Sequence, residues 1–196
     1  MSVHIANANF KNGYRVLVLN GSPKSDSFTW QLAERFLKAA RQAASIKIYN
    51  AYDIAANACV DCGYCKSNRA CKFSDLNEFY SDFESFDLIV FSTPVYNLSF
   101  PAPLKAIIDR LQLYYNARFS RGEKPAIAKK RKAVIISTCG GSDDAGFKII
   151  EKQLKAAFTV LNIELAGTVF KTCTDNEKIG EEDLQKASKL ALTIFE

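Results

Sequence analysis

Short apolar runs alternate along this chain with longer segments in which apolar residues recur at helical spacing. The runs at residues 15–19 (RVLVL), 88–92 (LIVFS) and 133–138 (AVIIST) are apolar at most positions. Such runs are typical of strands buried on both faces of a sheet. Residues 45–49 (SIKIY) alternate between apolar and polar and predict an edge strand, and residues 164–170 predict a last strand.

The segments between these runs predict helices. In the first of them, Leu32, Phe36 and Ala40 share one side of a helix with their apolar neighbours, and charged residues occupy the other side. The predicted helices cover residues 27–43, 74–83, 101–115, 147–161 and 184–194. We predict that residues 116–132 form a polar loop, and that the basic run at residues 129–132 within it is solvent-exposed.

This regular alternation of strands and helices indicates a parallel sheet with helices on both of its faces. No linker, repeat or low-complexity segment interrupts it, so we predict a single domain over residues 1–196. Five strands favour the flavodoxin-like α/β fold, a three-layer sandwich with the strand order 2-1-3-4-5. In that fold, ligands bind at the carboxyl ends of strands 1 and 3.

The composition is that of a globular protein with a mild positive charge. Hydrophobic residues make up 48% of the chain, charged residues make up 24%, and the formal net charge is +5. This charge favours anionic ligands, but it is too small and too dispersed to indicate nucleic-acid binding. The sequence contains neither a signal-peptide pattern nor an apolar run long enough to span a bilayer, so we expect a cytoplasmic protein without a membrane partner.

The segment after the first strand, residues 20–29 (NGSPKSDSFT), has the composition of a phosphate-binding loop. The N–H groups at a helix N-terminus attract anions, Ser22, Ser27 and Thr29 add hydroxyl donors, and Lys24 adds a charge. The segment lacks the GxxxxGK[ST] and GxGxxG patterns, so a monophosphate is the better prediction. The alternative is an ordinary helix start with Ser27 as its N-cap.

Two further segments follow strands at the same predicted edge of the sheet. Residues 92–99 (STPVYNLS) combine a proline, an aromatic ring and an amide, which can line a flat heteroaromatic ring. Residues 138–143 (TCGGSD) contain paired glycines, which let the backbone approach a ligand closely. Taken alone, each segment is equally consistent with a plain turn between a strand and a helix.

Together, the blocks GSPKSDSFT, STPVYNLSFPAPLKAIIDR and STCGG resemble the NAD(P)H-dependent FMN reductase family of flavodoxin-like flavoproteins. The resemblance implies that FMN binds at this edge of the sheet. It implies a phosphate site at Ser22, Lys24, Ser27 and Thr29, with the backbone N–H of Phe28, which replaces the asparagine usual in the family. It places the flavin ring against Pro94, Val95, Tyr96 and Asn97, and the pyrimidine end of the ring near Cys139, Gly140 and Gly141.

The resemblance also implies an oxidoreductase. Hydride from NAD(P)H would pass to FMN and then to a small-molecule acceptor such as a flavin or quinone, without a catalytic side chain. The only histidine, His4, lies in the N-terminal segment and is not expected to take part. The family further suggests a homodimer or homotetramer. An alternative is a non-enzymatic electron carrier of the flavodoxin type, although the pI of about 8.8 argues against it.

Four of the six cysteines lie close together, at Cys59, Cys62, Cys65 and Cys71. Two-residue gaps separate the first three, and a longer gap of five residues precedes Cys71. The pattern resembles the motif of the iron–sulfur flavoproteins, a branch of the same family, and the resemblance implies a [4Fe–4S] cluster beside FMN. A ferredoxin-like protein could then replace the nicotinamide as electron donor. Zinc is less consistent with this spacing. The other alternative is that the thiols hold no cluster and instead react, or pack against a neighbouring subunit.

Overall fold

The computed structural model describes residues 13–40 and 44–195, which form five strands and eight helices. The strands are β1 (Tyr14–Asn20), β2 (Ala44–Asn50), β3 (Leu88–Pro94), β4 (Arg131–Thr138) and β5 (Ile163–Lys171). The helices are α1 (Phe28–Ala40), α2 (Ala51–Ile54), α3 (Tyr64–Ser67), α4 (Asn77–Ser85), α5 (Ala102–Asp109), α6 (Gln112–Phe119), α7 (Ala145–Leu161) and α8 (Glu181–Phe195).

The strands form one parallel sheet in the order β2-β1-β3-β4-β5, which confirms the predicted flavodoxin-like topology. β2 is an edge strand, as its alternating pattern predicted. In the register of the sheet, Asn20 at the end of β1 lies between Asn50 of β2 and Ser92 of β3. The carboxyl ends of these three strands therefore meet at one edge.

Two apolar clusters cover the two faces of the sheet, which gives the predicted three layers. Side chains alternate across a strand, so Val16 and Val18 pack with α1 and α8 on one face. Leu17 and Leu19 point to the other face, where they pack with helices α4 to α7. Among the helices of the described ranges, we find none with the length and apolar character needed to cross a bilayer.

The predicted helix over residues 101–115 is wrong in its continuity, because the chain breaks into α5 and α6 at Arg110 and Leu111. The N–H groups of Leu111 and Tyr114 bond to carbonyl oxygens three residues earlier, at 3.0 and 2.9 Å, which is a tight turn rather than a continued α-helix. The turn coincides with Arg110, whose side chain is 2% exposed and points into the protein.

The predicted loop over residues 116–132 is also wrong at both ends. Helix α6 continues to Phe119, and β4 already begins at Arg131. Arg131 is 1% exposed, so the basic run before β4 is not wholly a solvated surface. Its guanidinium donates to the carbonyl oxygens of Phe83 and Leu161 and lies 4.9 Å from the centre of the Phe83 ring, and burial lowers its pKa to about 10.

Smaller differences concern short helices and helix ends. The sequence did not predict α2 or α3, each of which has only four residues. The helix predicted from residue 74 begins at Asn77. The predicted helix end at residue 43 and the N-terminal residue His4 lie outside the described part of the chain.

Candidate functional site

The three loops that follow β1, β3 and β4 line one open cleft of about 420 Å³, which we call the main cleft. It brings together most of the predicted site residues: Ser22, Lys24, Ser27, Phe28, Thr29, Pro94, Val95, Tyr96 and Gly140. Asn97, Cys139 and Gly141 belong to the same loops but are not among its lining residues. The volume is within the range of about 300–1,000 Å³ that is usual for small-molecule sites.

The loop after β1 is held in place by its own backbone and by both neighbouring strands. Gly21 N–H donates to the carbonyl oxygen of Ser92 at 2.7 Å. The Asn20 amide donates to Asn50 Oδ1 at 3.0 Å and accepts the N–H of Ser22 at 3.2 Å. A Cβ on Gly21 would lie 2.5 Å from a methyl group of Leu104, so only glycine allows α5 to pack this closely. The loop is therefore fixed before any ligand binds.

The start of α1 combines a helix cap with backbone N–H groups at the main cleft. Ser27 Oγ accepts the N–H of Trp30 at 3.2 Å, so Ser27 is the N-cap that the alternative interpretation expected. The N–H groups of Phe28 and Thr29 open the helix, and the first N–H groups of a helix have no partner within it. Helix α1 thus presents donors to the main cleft, and the ordinary cap does not exclude phosphate binding.

Thr29 plays a different part from the one predicted for its hydroxyl. The side chain is 1% exposed, and its Oγ1 lies 2.5 Å from Oγ1 of Thr138 at the end of β4. This hydrogen bond joins the first turn of α1 to β4 beneath the cleft. The backbone N–H of Thr29 is consequently better placed for an anion than its hydroxyl.

The loop after β3 reverses direction in a tight turn. The N–H of Tyr96 bonds to the carbonyl oxygen of Ser99 at 2.8 Å, and the N–H of Ser99 returns the bond at 2.9 Å. The central residues Asn97 and Leu98 both have positive φ, at 48° and 61°, as a type I′ turn requires. The turn directs Tyr96 to the surface, where it is 45% exposed, at the rim of the cleft.

The loop after β4 is tied to the loop after β5, which sequence reasoning did not include. The N–H groups of Cys173, Thr174 and Asp175 donate to the carbonyl oxygens of Gly141, Cys139 and Gly140, at 2.8, 3.1 and 3.2 Å. A Cβ on Gly140 would lie 2.4 Å from the Asp175 carboxylate. Glycine at this position therefore lets the two loops meet.

Four residues that the sequence did not single out also line the main cleft. Thr138 ends β4, Asp26 lies in the loop before α1, and Thr174 and Asp175 follow β5. The strand order contained a signal for the last two, because β5 lies beside β4 and its carboxyl end reaches the same edge. Among the residues that line this cleft, Asp26 and Asp175 carry carboxylates, and Lys24 carries a positive charge.

All four clustered cysteines line a single small recess behind α3, with Arg110 and Leu113 in its wall. Of these thiols, Cys59 and Cys62 are exposed, and Cys65 and Cys71 are half-buried. Within residues 13–40 and 44–195, no group of three or more Cys, His, Asp or Glu side chains converges to hold a metal ion. The thiols as folded here therefore do not fit a [4Fe–4S] cluster.

A partly buried ion pair closes the two ends of this segment, residues 57–75, which we call the cysteine segment. The Arg110 guanidinium donates to both carboxylate oxygens of Asp75, at 2.7 and 2.9 Å, and to the carbonyl oxygens of Asn57 and Phe73. Asn57 adds two hydrogen bonds to the same carboxylate, at 2.8 and 3.0 Å. Arg110 thus holds together chain positions that are 18 residues apart.

The hydrogen bonds also decide the charge state of this pair. Burial opposes ionisation of Asp75, but the hydrogen bonds from Asn57 and Arg110 outweigh it and hold the pKa of Asp75 below its usual value. The Arg110 Nε is buried and has no hydrogen-bond partner in the described part of the chain. Arg110 therefore brings an uncompensated donor to the wall of the cysteine recess.

The chain matches the family model described as NADPH-dependent FMN reductase over residues 14–176. Among curated relatives, it is 34% identical over 122 residues to an FMN-dependent NADH:quinone oxidoreductase of Gluconobacter oxydans, covering 56% of this chain and 60% of the relative. It is 29% identical over 142 residues to an iron-sulfur flavoprotein of Archaeoglobus fulgidus, covering 71% of this chain and 60% of the relative. The matches thus span 60% of the length of each of these two relatives.

Solved structures share the fold at low sequence identity. The NAD(P)H:quinone oxidoreductase from Methanothermobacter marburgensis aligns with a TM-score of 0.73 and 16% identity, over 94% of this chain and 97% of the other. An FMN-dependent NADH-azoreductase from Bacillus anthracis, solved in complex with FMN, aligns with a TM-score of 0.67 and 19% identity, over 93% of this chain and 100% of the other. These similarities support the flavodoxin-like architecture.

Proposed function

Because the chain belongs to the NADPH-dependent FMN reductase family, we propose that it is a flavoenzyme that reduces a small acceptor with electrons from NAD(P)H. The acceptor class that relatives favour is a quinone, since the Gluconobacter relative is named for quinone reduction. The main support is the convergence of the loops after β1, β3 and β4 on one cleft. FMN, when bound, supplies the hydride chemistry, and the protein supplies position and electrostatics.

The phosphate of FMN binds at the start of α1 in this proposal. The N–H groups of Phe28 and Thr29, the hydroxyl of Ser22 and the ammonium of Lys24 act as its donors, and the helix dipole adds a positive potential. Ser27 keeps its capping bond to Trp30, which fixes the direction of these N–H groups. The Ser22 hydroxyl, which donates to the carbonyl oxygen of Lys24 at 3.4 Å, would turn towards the phosphate in this proposal.

The flavin ring lies between the loops after β3 and β4. Pro94 and Val95 form an apolar wall, and Val95 N–H is fixed by the carbonyl oxygen of Thr138 at 2.8 Å. Gly140 permits close approach of the backbone to the polar edge of the ring. Tyr96 at the rim covers one side of the ring and limits access of water. The predicted contacts of Asn97, Cys139 and Gly141 with FMN stay predictions, since these residues belong to the same loops but do not line the cleft.

Flavin titration and steady-state kinetics test this function. We expect flavin-free protein to bind FMN, and the complex to oxidise NADH or NADPH in the presence of a benzoquinone. Lys24→Ala should weaken FMN binding about tenfold because it removes a charge-assisted contact. Lys130→Ala, which removes a charge that is 75% exposed at the other end of the sheet, should leave FMN affinity unchanged. Absence of FMN binding would refute the proposal, and binding without turnover would instead support the electron-carrier alternative.

A second candidate is an iron–sulfur flavoprotein with a ferredoxin-like donor. It is favoured by the four cysteines around one recess and by the Archaeoglobus relatives. Since the thiols do not converge as folded here, the cysteine segment would have to rearrange to bind a cluster. Anaerobic purification with iron and acid-labile sulfide analysis tests this candidate. Flavin without iron would rule it out, and four irons per chain would establish it.

The oligomeric state and the location of the protein remain predictions from the sequence. A homodimer or homotetramer is expected, and sedimentation equilibrium of the FMN complex measures it. A monomer would contradict that expectation. A cytoplasmic location is likewise expected from the sequence.

A further inference from the structure

A second cleft of about 420 Å³ lies on the other side of the loop after β1, between α1 and the junction of β2 with α2. We call it the second cleft. Its floor is apolar, with Leu37 buried and Ile48 almost buried. Its polar and aromatic lining includes Lys24, Trp30, Glu34, Asn50, Tyr52 and Asp53.

The lining has the chemistry that recognises an adenosine diphosphate group. Trp30 is half-buried and Tyr52 is 40% exposed, so both can offer a ring face to a heteroaromatic base. Ser25 offers a hydroxyl donor to phosphate oxygens, and Lys24, which the proposed function also assigns to the FMN phosphate, lies between the two sites. Glu34 and Asp53 offer carboxylates, which accept hydrogen bonds from hydroxyl groups.

The position of Asp53 in the fold supports this interpretation, in addition to the chemistry of its carboxylate. Asp53 follows the carboxyl end of β2 by three residues, and β2 is the neighbour of the strand that bears the anion-binding loop. In the Rossmann fold, an acidic residue after the strand next to the phosphate loop accepts the ribose hydroxyls of NAD. This chain lacks the GxGxxG loop of that fold, so the comparison concerns only the place of the carboxylate at the edge of the sheet. The Asp53 carboxylate is oriented by the Asn50 amide at 3.2 Å, at the last residue of β2.

The two clefts adjoin. Ser22 and Lys24 line both of them. At the rim, burial and then the neighbouring phenol of Tyr96 raise the pKa of Tyr52, so a side chain of the second cleft lies near one of the main cleft. A dinucleotide held in the second cleft can therefore extend across Lys24 towards a flavin in the main cleft.

We propose that the second cleft binds the adenosine diphosphate half of the nicotinamide substrate, and that Glu34 and Asp53 select NADH over NADPH. The proposal rests on the proposed function for the presence of a nicotinamide substrate. The ribose of NADH bears two free hydroxyls, which both carboxylates can accept. The extra 2′-phosphate of NADPH would instead face the carboxylate of Asp53 and that of Glu34, and these charges repel it, although Lys38 at 3.2 Å offsets part of the charge of Glu34.

The single tryptophan of the chain, Trp30, gives a direct readout of binding. We expect ADP, added to the FMN-loaded protein, to change Trp30 fluorescence saturably and to compete with NADH. Adenosine 2′,5′-bisphosphate should bind about tenfold more weakly than AMP, from which it differs only by the 2′-phosphate, because of the charge repulsion. No ADP-dependent fluorescence change and no competition with NADH would overturn the proposal.

Charge-neutral variants test the selectivity. In the double variant Glu34→Gln, Asp53→Asn, the KM for NADH should rise about tenfold with kcat unchanged, and the preference for NADH over NADPH should fall to within about threefold. FMN affinity, measured separately, should be unchanged, since neither residue lines the main cleft. Glu164→Gln is the matched control, because it removes a 59% exposed carboxylate from β5, at the opposite edge of the sheet. Equal effects of the control and the double variant would refute the assignment.

Two further outcomes separate the sources of the adenosine group. The same group occurs in FAD, so an Asp53-dependent preference for FAD over FMN would assign the cleft to the flavin and overturn the nicotinamide assignment. If neither nicotinamide nucleotide reduces the bound flavin, the proposed function fails, and the ADP titration still decides whether the cleft binds the nucleotide. If NADH reduces the flavin but ADP does not bind, only the present proposal fails.

Discussion

Replacing Asp75 with Asn tests the ion pair that closes the cysteine segment. The substitution preserves the size of the side chain but leaves the Arg110 guanidinium, whose side chain is 1% exposed, without its counter-charge. Breaking a buried pair by removing one partner costs about 3–5 kcal/mol. Because the Asp75 side chain is 22% exposed, solvent screens part of the lost attraction, and we expect a cost of about 3 kcal/mol.

Urea denaturation followed by circular dichroism measures this cost. With a slope of about 2–3 kcal/mol per molar urea, the unfolding midpoint of Asp75→Asn should fall by about 1 M. The matched control is Glu182→Gln, which breaks an ion pair whose side chains are 57% and 83% exposed, and it should cost less than about 0.5 kcal/mol. The half-buried thiols of Cys65 and Cys71 should also react faster with an alkylating reagent in Asp75→Asn, as read by mass spectrometry.

The pH dependence of stability gives a second, independent test of the Asp75–Arg110 ion pair. The folded pKa of Asp75 lies below its value of 3.8 in the unfolded chain, so the folded state is stabilised above that pH and loses the contribution as pH falls through the folded pKa. The difference in the free energy of unfolding between wild type and Asp75→Asn should therefore be largest at neutral pH and should decrease below about pH 4. An unfolding midpoint of Asp75→Asn equal to that of wild type at pH 7 would show that the Asp75–Arg110 ion pair does not stabilise the fold. A difference between the two midpoints that does not change at acidic pH would show the same.

The remaining predictions concern the main cleft and the second buried arginine. Gly140→Ala places a Cβ 2.4 Å from the Asp175 carboxylate and should weaken FMN binding about tenfold. The control Gly141→Ala, whose Cβ has no atom within 4 Å, should change FMN affinity less than about twofold. Equal FMN affinities of the two variants in a flavin-fluorescence titration would contradict this prediction. Arg131→Met leaves two buried carbonyl oxygens without their donor and should lower the free energy of unfolding by about 2 kcal/mol. The exposed control Lys130→Met should lower it by less than about 0.5 kcal/mol. Equal urea midpoints of the two variants would contradict this prediction.

The sheet and its functional edge were predictable because the signals for them are local. The apolar runs of β1, β3 and β4 are buried on both faces, and such runs are distinctive in sequence. The parallel topology then brings the loops after these strands together without further information. The placement of Ser22, Pro94 and Gly140 in one cleft thus follows from the strand order alone.

The buried arginines could not be predicted in this way. A pattern of apolar and polar positions counts Arg110 and Arg131 as exposed, because it contains no information on distant partners. Arg110 binds a carboxylate 35 residues away, and Arg131 binds backbone carbonyl oxygens 48 and 30 residues away. The break between α5 and α6 has the same origin, since it occurs where Arg110 turns inward.

The predicted topology also accounts for the second cleft, which the sequence analysis did not predict. In the order 2-1-3-4-5, β1 has β3 on one side and β2 on the other, so the loop after β1 has two neighbours at the edge of the sheet. A loop in that position can present donors to both sides, as Lys24 does here by lining both clefts. If both proposals hold, the flavin and the nucleotide share the loop after β1, and their other contacts fall on different strands. Changes at Asp53, after β2, should consequently alter nucleotide choice without altering flavin affinity, whereas changes at Gly140, after β4, should do the reverse.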